Sequence, residues 1–255
     1  MTRLLEDRVV LVTGAGWGVG RGIALACAIE GARVIVAEKD ESGGRSAARE
    51  ICDCGGVGLF AWCDVTKRAE VDSAIAVALE HFGKLDALVH SATSDRSPLP
   101  DAIEEVDAVL LAEHTSVALR GAYSCARAGF QALREAQGQL VILTSPAGVE
   151  GASSLPIYSS VKAGQRAFVK SLSKEWGPLG VRVNAISPLA STPAMLQAFE
   201  ADPTLQGQLE RLIPLGRIGD PELDIGSAAT LLLSDRSRFI TGQTWVIDGG
   251  RFMGL

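Results

Sequence analysis

Val9-Val10-Leu11-Val12-Thr13-Gly14-Ala15-Gly16-Trp17-Gly18-Val19-Gly20 is the stretch on which the fold turns. Val9 to Val12 is a short β-branched run of the kind that forms a buried strand. A glycine-rich turn follows. Next come Ile23-Ala24-Leu25-Ala26, apolar and helix-forming, up to Gly31, a good helix stop. Strand, glycine-rich turn and helix, in that order, are the context a dinucleotide fingerprint demands. Glycine lets the backbone approach a pyrophosphate, and a helix N-terminus offers free N–H groups and a positive dipole end. Gly14, Trp17, Gly18 and Val19 are therefore candidate cofactor-binding residues.

Working outward, Ala32 to Ala37 reads as a second strand ending at Glu38. A carboxylate about 20 residues beyond the first glycines can accept hydrogen bonds from the adenosine ribose hydroxyls. It would repel a 2′-phosphate. Trp17 occupies the turn, so no basic side chain there welcomes one. Lys39 is read as a solvated surface charge beside the acid. NAD(H) is expected in preference to NADP(H).

The rest of the chain alternates. Ser42 to Cys54 reads as a helix and Val57 to Cys63 as a strand closed by Asp64-Val65. Lys67 to Phe82 is helical in period, Leu85 to His90 a strand, and Asp101 to Gln137 long and mostly helical. Leu140 to Leu143 is a strand running into Thr144-Ser145. Ile157 to Trp176 is a helix, Val181 to Ile186 a strand and Thr244 to Ile247 a short last strand. Such alternation implies parallel strands with right-handed crossovers. With no repeat or linker evident, residues 1–255 read as one α/β domain.

Tyr158 and Lys162 lie four apart on one helix face. A phenol titrates near 10, and a neighbouring ammonium favours the phenolate. The pair can then exchange a proton with an alcohol or ketone near neutral pH. The Ser145 hydroxyl could hold the substrate oxygen where charge develops.

Taken together, the glycine turn, Asp64-Val65, Ser145, Tyr158 to Lys162, Arg182-Val183-Asn184-Ala185, Thr241-Gly242 and Asp248-Gly249-Gly250 resemble the short-chain dehydrogenase/reductase family, across essentially the whole chain. The resemblance implies a single-domain Rossmann fold, a doubly wound seven-stranded parallel sheet of order 3-2-1-4-5-6-7 flanked by helices. It implies that Ser145 orients the substrate oxygen and that Tyr158 is the acid/base. Lys162 would lower the Tyr158 pKa and hold the nicotinamide ribose. Asp64 and Val65 would frame the adenine, while Ser91, Ala92, Pro188 and Thr192 join the cofactor-binding set. Residues 188–221 would form a lid over the substrate, with Leu189, Met195, Leu196, Phe199, Leu212 and Ile213 suggesting an apolar pocket. A homotetramer is also implied. One interface would use the long helix from Asp101 and the Tyr158 helix, with Ala122, Ala126, Ala128 and Ala132 small enough for close helix contact or for core packing. Asp248 to Leu255 would form the other.

Departures cluster at the nicotinamide end. The family usually shows Asn-Asn-Ala-Gly after the fourth strand; here stand His90-Ser91-Ala92-Thr93. The family's relay Asn, three residues before a Gly, aligns with Ala118 before Gly121, with Ser116 or His114 as nearby substitutes. Pro-Gly after the sixth strand is Pro188-Leu189. His81 and His114 read as surface or packing residues, and His90 as a maker of a specific hydrogen bond.

Hydrophobic residues make up 47% and charged residues 21%, as in a globular protein. The net charge of -6 and the lack of a basic stripe argue against nucleic acid as partner. The segment from Met1 to Arg8 lacks a signal-peptide core. No apolar run approaches the ~20 residues of a membrane span. Cys27, Cys52, Cys54, Cys63 and Cys125 lack zinc-ligand spacing; no metal site is expected, and reduced thiols in the cytoplasm are. The expected function is NAD-dependent interconversion of a secondary alcohol and a ketone. The alternative is a cofactor-binding subunit or sensor with little turnover, motivated by Ala118, Thr93 and Leu189.

Overall fold

A computed structural model describes residues 3–97 and 102–253. Met1, Asp101 and Leu255, at the ends of segments considered above, lie outside them. Seven strands form one sheet in the order β3-β2-β1-β4-β5-β6-β7. They are β1 (Val9–Thr13), β2 (Arg33–Glu38), β3 (Val57–Trp62), β4 (Ala87–His90), β5 (Gln139–Leu143), β6 (Arg182–Pro188) and β7 (Thr244–Ile247). Every pairing is parallel, as the alternating sequence required.

Helices cover both faces of the sheet. On one lie α3 (Arg68–Phe82), α5 (Gly121–Glu135) and α7 (Pro156–Trp176), around a core of residues such as Leu88, Leu133, Leu140 and Trp176. On the other lie α1 (Gly18–Ile29), α2 (Glu41–Asp53) and α10 (Ser227–Leu233), around Val10, Ile23, Ile51 and Ile225. A sheet buried on both faces needs strands apolar at successive positions, and β1, β4 and β5 are buried at every residue. Local chemistry sets the helix ends. Asp40 caps α2 by accepting from the Ser42 and Gly43 N–H groups. Gly83 ends α3 at φ 74.

The segment expected as one long helix before Gln137 is broken. A 3₁₀ turn (Ile103–Glu105) leads to α4 (Ala108–His114), a π-helical turn (Thr115–Arg120) and α5. The i→i+5 turn lets the direction adjust without ending the helical path. Ala122, Ala126 and Ala132 are buried in the core of the single chain, and Ala128 is partly buried against it. Of the two uses their size allowed, packing against the chain's own sheet is the one found. Residues 188–221 contain a second helix that the sequence did not announce. Beside α8 (Pro193–Ala201) stands α9 (Thr204–Glu210).

The topology places the site. Crossovers run one way from β1 through β2 to β3, and the other way from β4 onward. β1 and β4 are neighbours, with Thr13 paired to His90 at their C-terminal ends. The loops after them diverge and leave a crevice at this switch point, where open α/β sheets bind ligands.

Candidate active site

A cavity of about 930 Å³ opens in this crevice. The glycine turn, Glu38, Asp64 and Val65 line one end; Ser145, Tyr158 and Lys162 line the other. Ser91, Ala92, Pro188 and Thr192 lie in the same walls. Every candidate residue thus borders one space, although they come from six different strand ends.

The turn after β1 is built by close backbone approach. A Cβ on Gly14, whose φ is +66°, would meet the Ala92 Cα at 2.7 Å. One on Gly20 would meet the Gly14 carbonyl oxygen at 2.1 Å. Trp17, at the N-cap of α1, supplies no side-chain cap, so the first N–H groups of the helix stay available to an anion. These features fit a dinucleotide pyrophosphate. The Trp17 indole donates to Asp40 Oδ2 at 2.8 Å and lies over Gly43, where a Cβ would stand 2.4 Å from Nε1.

Glu38 is buried and holds the turn. Its Oε2 accepts from the Gly16 N–H at 3.0 Å, and its Oε1 accepts from Lys39 and Asp40 N–H groups at 2.8 and 3.0 Å. The Lys39 ammonium is paired with Asp95 at 2.7 Å. Asp64 accepts from the backbone and hydroxyl of Thr66 at 3.0 and 2.7 Å. Burial opposes its ionisation, but these bonds and Lys67 hold its pKa below the usual carboxylate value.

At the far end, α7 carries Tyr158 and Lys162, and Ser145 follows β5. The Tyr158 hydroxyl is hydrogen-bonded to Ser145. The Lys162 ammonium lies 5.6 Å from the centre of the Tyr158 ring and donates to the Leu143 carbonyl at 2.9 Å. Burial pushes the phenol pKa up, and the Ser145 bond pulls the other way. Burial also lowers the lysine, to about 8. Burial thus opposes the effect expected of Lys162 on Tyr158.

Beneath them sits His90, fully buried. Its Nε2 lies 3.1 Å from the Ala118 carbonyl oxygen and its Nδ1 3.1 Å from Thr13 Oγ1. A carbonyl only accepts, so the proton is on Nε2 and the Thr13 hydroxyl donates to Nδ1. Thr13 Oγ1 in turn accepts from the N–H groups of Ser91 and Ala92 at 3.2 and 3.4 Å. His90 thus ties β1, the loop after β4 and the π-helical turn together. Burial, then the charge of Lys162, lower its pKa to about 4, against the Ala118 bond. Between pH 6.5 and 4 the unfolded chain binds a proton that the folded chain refuses, so stability falls on acidification through that window. The loss is on the order of 3 kcal/mol. Urea melts at pH 7 and pH 4.5 should show a steeper decline for the parent protein than for His90→Asn; equal slopes would remove His90 as the cause.

His81, exposed, bonds Val77 O, while His114 is buried against Ser97. Gln165 reaches the Ala118 carbonyl, at 2.9 Å. Neither Gln165 nor Arg251 was signalled by the sequence. Arg251, from the C-terminal segment, lines the cavity and pairs with Glu150 at 2.7 Å. The expected apolar lining is only partly realised. Leu189 and Met195 reach the cavity, joined by Leu209; Ile213 is buried, with its Cγ2 2.6 Å from where a Gly249 Cβ would stand, while Leu196 and Leu212 face solvent. Thr93 is exposed on the cavity wall, and it is Ala92, not residue 93, that meets the glycine turn. Among the described residues no group of His, Cys, Asp and Glu could hold a metal ion, and no helix is long and apolar enough to cross a membrane.

Comparison with known proteins places this geometry. A family model described as enoyl-(acyl carrier protein) reductase matches residues 14–251. A 3-oxoacyl-[acyl-carrier-protein] reductase of Synechocystis is 35% identical over 98% of both chains. An L-fucose dehydrogenase of Bos taurus is 34% identical over 97% of this chain and 90% of its own. The crystal structure of 3-ketoacyl-(acyl-carrier-protein) reductase from Brucella melitensis complexed with NADH superposes with a TM-score of 0.88 at 31% identity, covering 98% of this chain and all of that one. With a sheet of order 3-2-1-4-5-6-7 and a match over nearly its whole length, the chain belongs to the short-chain dehydrogenase/reductase family of oxidoreductases.

Proposed function

We propose that this protein is an NAD(H)-dependent oxidoreductase that interconverts a secondary alcohol and a ketone. The observation that carries the reading is the meeting of Ser145, Tyr158 and Lys162 at one end of a cavity whose other end holds Glu38. The nicotinamide, when bound, supplies the hydride acceptor or donor. The chain's own residues do the rest. The Gly14 to Val19 turn and the start of α1 hold the pyrophosphate. Asp64 and Val65 flank the adenine, with Ser91, Ala92, Pro188 and Thr192 along the cofactor. Ser145 fixes the substrate oxygen, and Tyr158 takes the alcohol proton in oxidation or returns it in reduction. Lys162 provides the positive charge that favours the phenolate as the site fills.

Preference for the non-phosphorylated cofactor rests on charge. Glu38 would set a carboxylate against a 2′-phosphate, and the adjacent cation, Lys39, is already paired with Asp95. The relative solved with NADH is consistent with that reading. Residues 188–221 act as the substrate lid, Leu189, Met195 and Leu209 giving it an apolar inner side. The relatives, by their names, act on compounds as different as L-fucose and a 3-oxoacyl-[acyl-carrier-protein]. Five free cysteines suit a reducing cytoplasm, and a homotetramer is the assembly proposed.

The test is hydride transfer. Purified protein meets secondary alcohols with NAD⁺ and ketones with NADH, with the phosphorylated cofactors in parallel. Turnover with the non-phosphorylated pair is expected. Faster turnover with NADPH would overturn the cofactor assignment, and tight NADH binding with no conversion across a broad panel would overturn the reaction.

A further inference from the structure

One turn along α7 from Lys162, on the same face, stands Gln165. It is fully buried. Its Nε2 donates to the Ala118 carbonyl at 2.9 Å, while its Oε1 has no partner among the described residues. The amide cannot turn over. Exchanging its ends would set Oε1 against the Ala118 oxygen, which also accepts from His90 Nε2 at 3.1 Å. Oε1 is therefore held as a free acceptor inside the protein.

Lys162 presents the complementary deficit. Its ammonium carries three donors, and its hydrogen bond within the protein goes to Leu143 O at 2.9 Å. Buried polar groups seldom go without partners, and a bridging water is the usual remedy. The two side chains stand three positions apart on one face of α7 and both are buried, so the two groups share one neighbourhood.

We propose that Gln165 is a positioning residue for Lys162: anchored by the Ala118 carbonyl, its Oε1 receives the Lys162 ammonium through one bridging water and keeps that ammonium charged beneath Tyr158. Ala118 thus needs no polar side chain, because its backbone oxygen anchors an amide contributed by α7. His114, from α4, has its Nδ1 2.8 Å from Ser97 Oγ. The titratable groups facing this cluster are Tyr158 from α7, His90 from β4 and Cys125 from α5, whose Sγ is 3.7 Å from His90 Nδ1. Glu150, a carboxylate on the cavity wall, is paired with Arg251.

This inference rests on the reading of Tyr158 and Lys162 as the reacting pair, but its test does not require a substrate. Lys162, set apart from ordinary lysines by its lowered pKa, can be titrated through the side-chain resonances of isotope-labelled lysine in the full-length protein, with Lys162→Arg assigning the signal. Gln165→Leu should move that titration to lower pH by about one unit, since the ammonium loses its acceptor. With a working substrate, kcat at pH 7 should fall roughly tenfold with KM for NADH nearly unchanged. Ala118→Asn added to Gln165→Leu should restore part of both, by offering an amide from the facing turn. Should Gln165→Leu fail to fold, Gln165→Met carries the same expectation. A folded variant whose Lys162 titrates as in its parent would overturn the proposal. A shifted titration in a protein that turns over nothing would uphold the Gln165 contact and sink the enzymatic reading instead.

Discussion

Tyr158→Phe should lower turnover by about 10²–10⁴-fold, the usual contribution of a positioned acid/base. NADH affinity should stay close to that of the parent protein, because only one oxygen is removed. The phenol sits at the cavity wall, hydrogen-bonded to Ser145 and 5.6 Å from the Lys162 ammonium measured to its ring centre. A phenylalanine keeps the ring over the ammonium and loses the atom that exchanges the proton. Pre-steady-state mixing with NADH separates the two quantities. Retained full turnover would mean that another group moves the proton. The same pair predicts an alkaline-shifted rate profile for alcohol oxidation, since burial raises the phenol and the reaction needs it ionised.

Glu38→Gln carries the second large effect, on cofactor choice. Its carboxylate takes three backbone N–H groups and adds a negative charge beside Asp40. Like charges brought together cost several kcal/mol. Relieving even about 2 kcal/mol of that penalty changes a ratio of affinities by roughly thirtyfold. The ratio of NADH to NADPH affinity should therefore fall by that order. Part of the fall comes from a weaker NADH complex, because the amide nitrogen would face a donor at Gly16 or at Lys39 and Asp40. Calorimetric titration of both cofactors measures it. An unchanged ratio would show that discrimination lies elsewhere, with the Lys39–Asp95 pair as the next place to look.

Much of the fold could be read from β-branched runs and glycines. Val9 to Val12, Ala32 to Ala37 and Thr244 to Ile247 come within a residue or two of the strands, because a sheet covered on both faces leaves an unbroken apolar signal. The break at Thr115–Arg120 was not legible. A π-helical turn has no composition of its own, and in this one the Ala118 carbonyl meets His90 and Gln165 from distant segments. The site was legible where motif spacing carries it, in the glycine turn and in Tyr158 and Lys162. Gln165 and Arg251 were silent because their partners, Ala118 and Glu150, lie 47 and 101 positions away. Helical spacing gives the distance from Tyr158 to Lys162 and says nothing of burial, which acts on both groups.

The order of the sheet also bears on how the chain is made. From β5 onward each new strand pairs with the one synthesised before it, so the growing sheet always offers the edge just completed to the strand about to emerge. β1 waits longer, because its second neighbour, β4, begins at Ala87, well after β2 and β3 have been made. Until then β1 presents an open apolar edge, the kind of template that recruits other chains. The ribosome must therefore deliver about a third of the protein before its centre is shielded, and slowing synthesis between Trp62 and Ala87 should raise aggregation more than the same delay after β5.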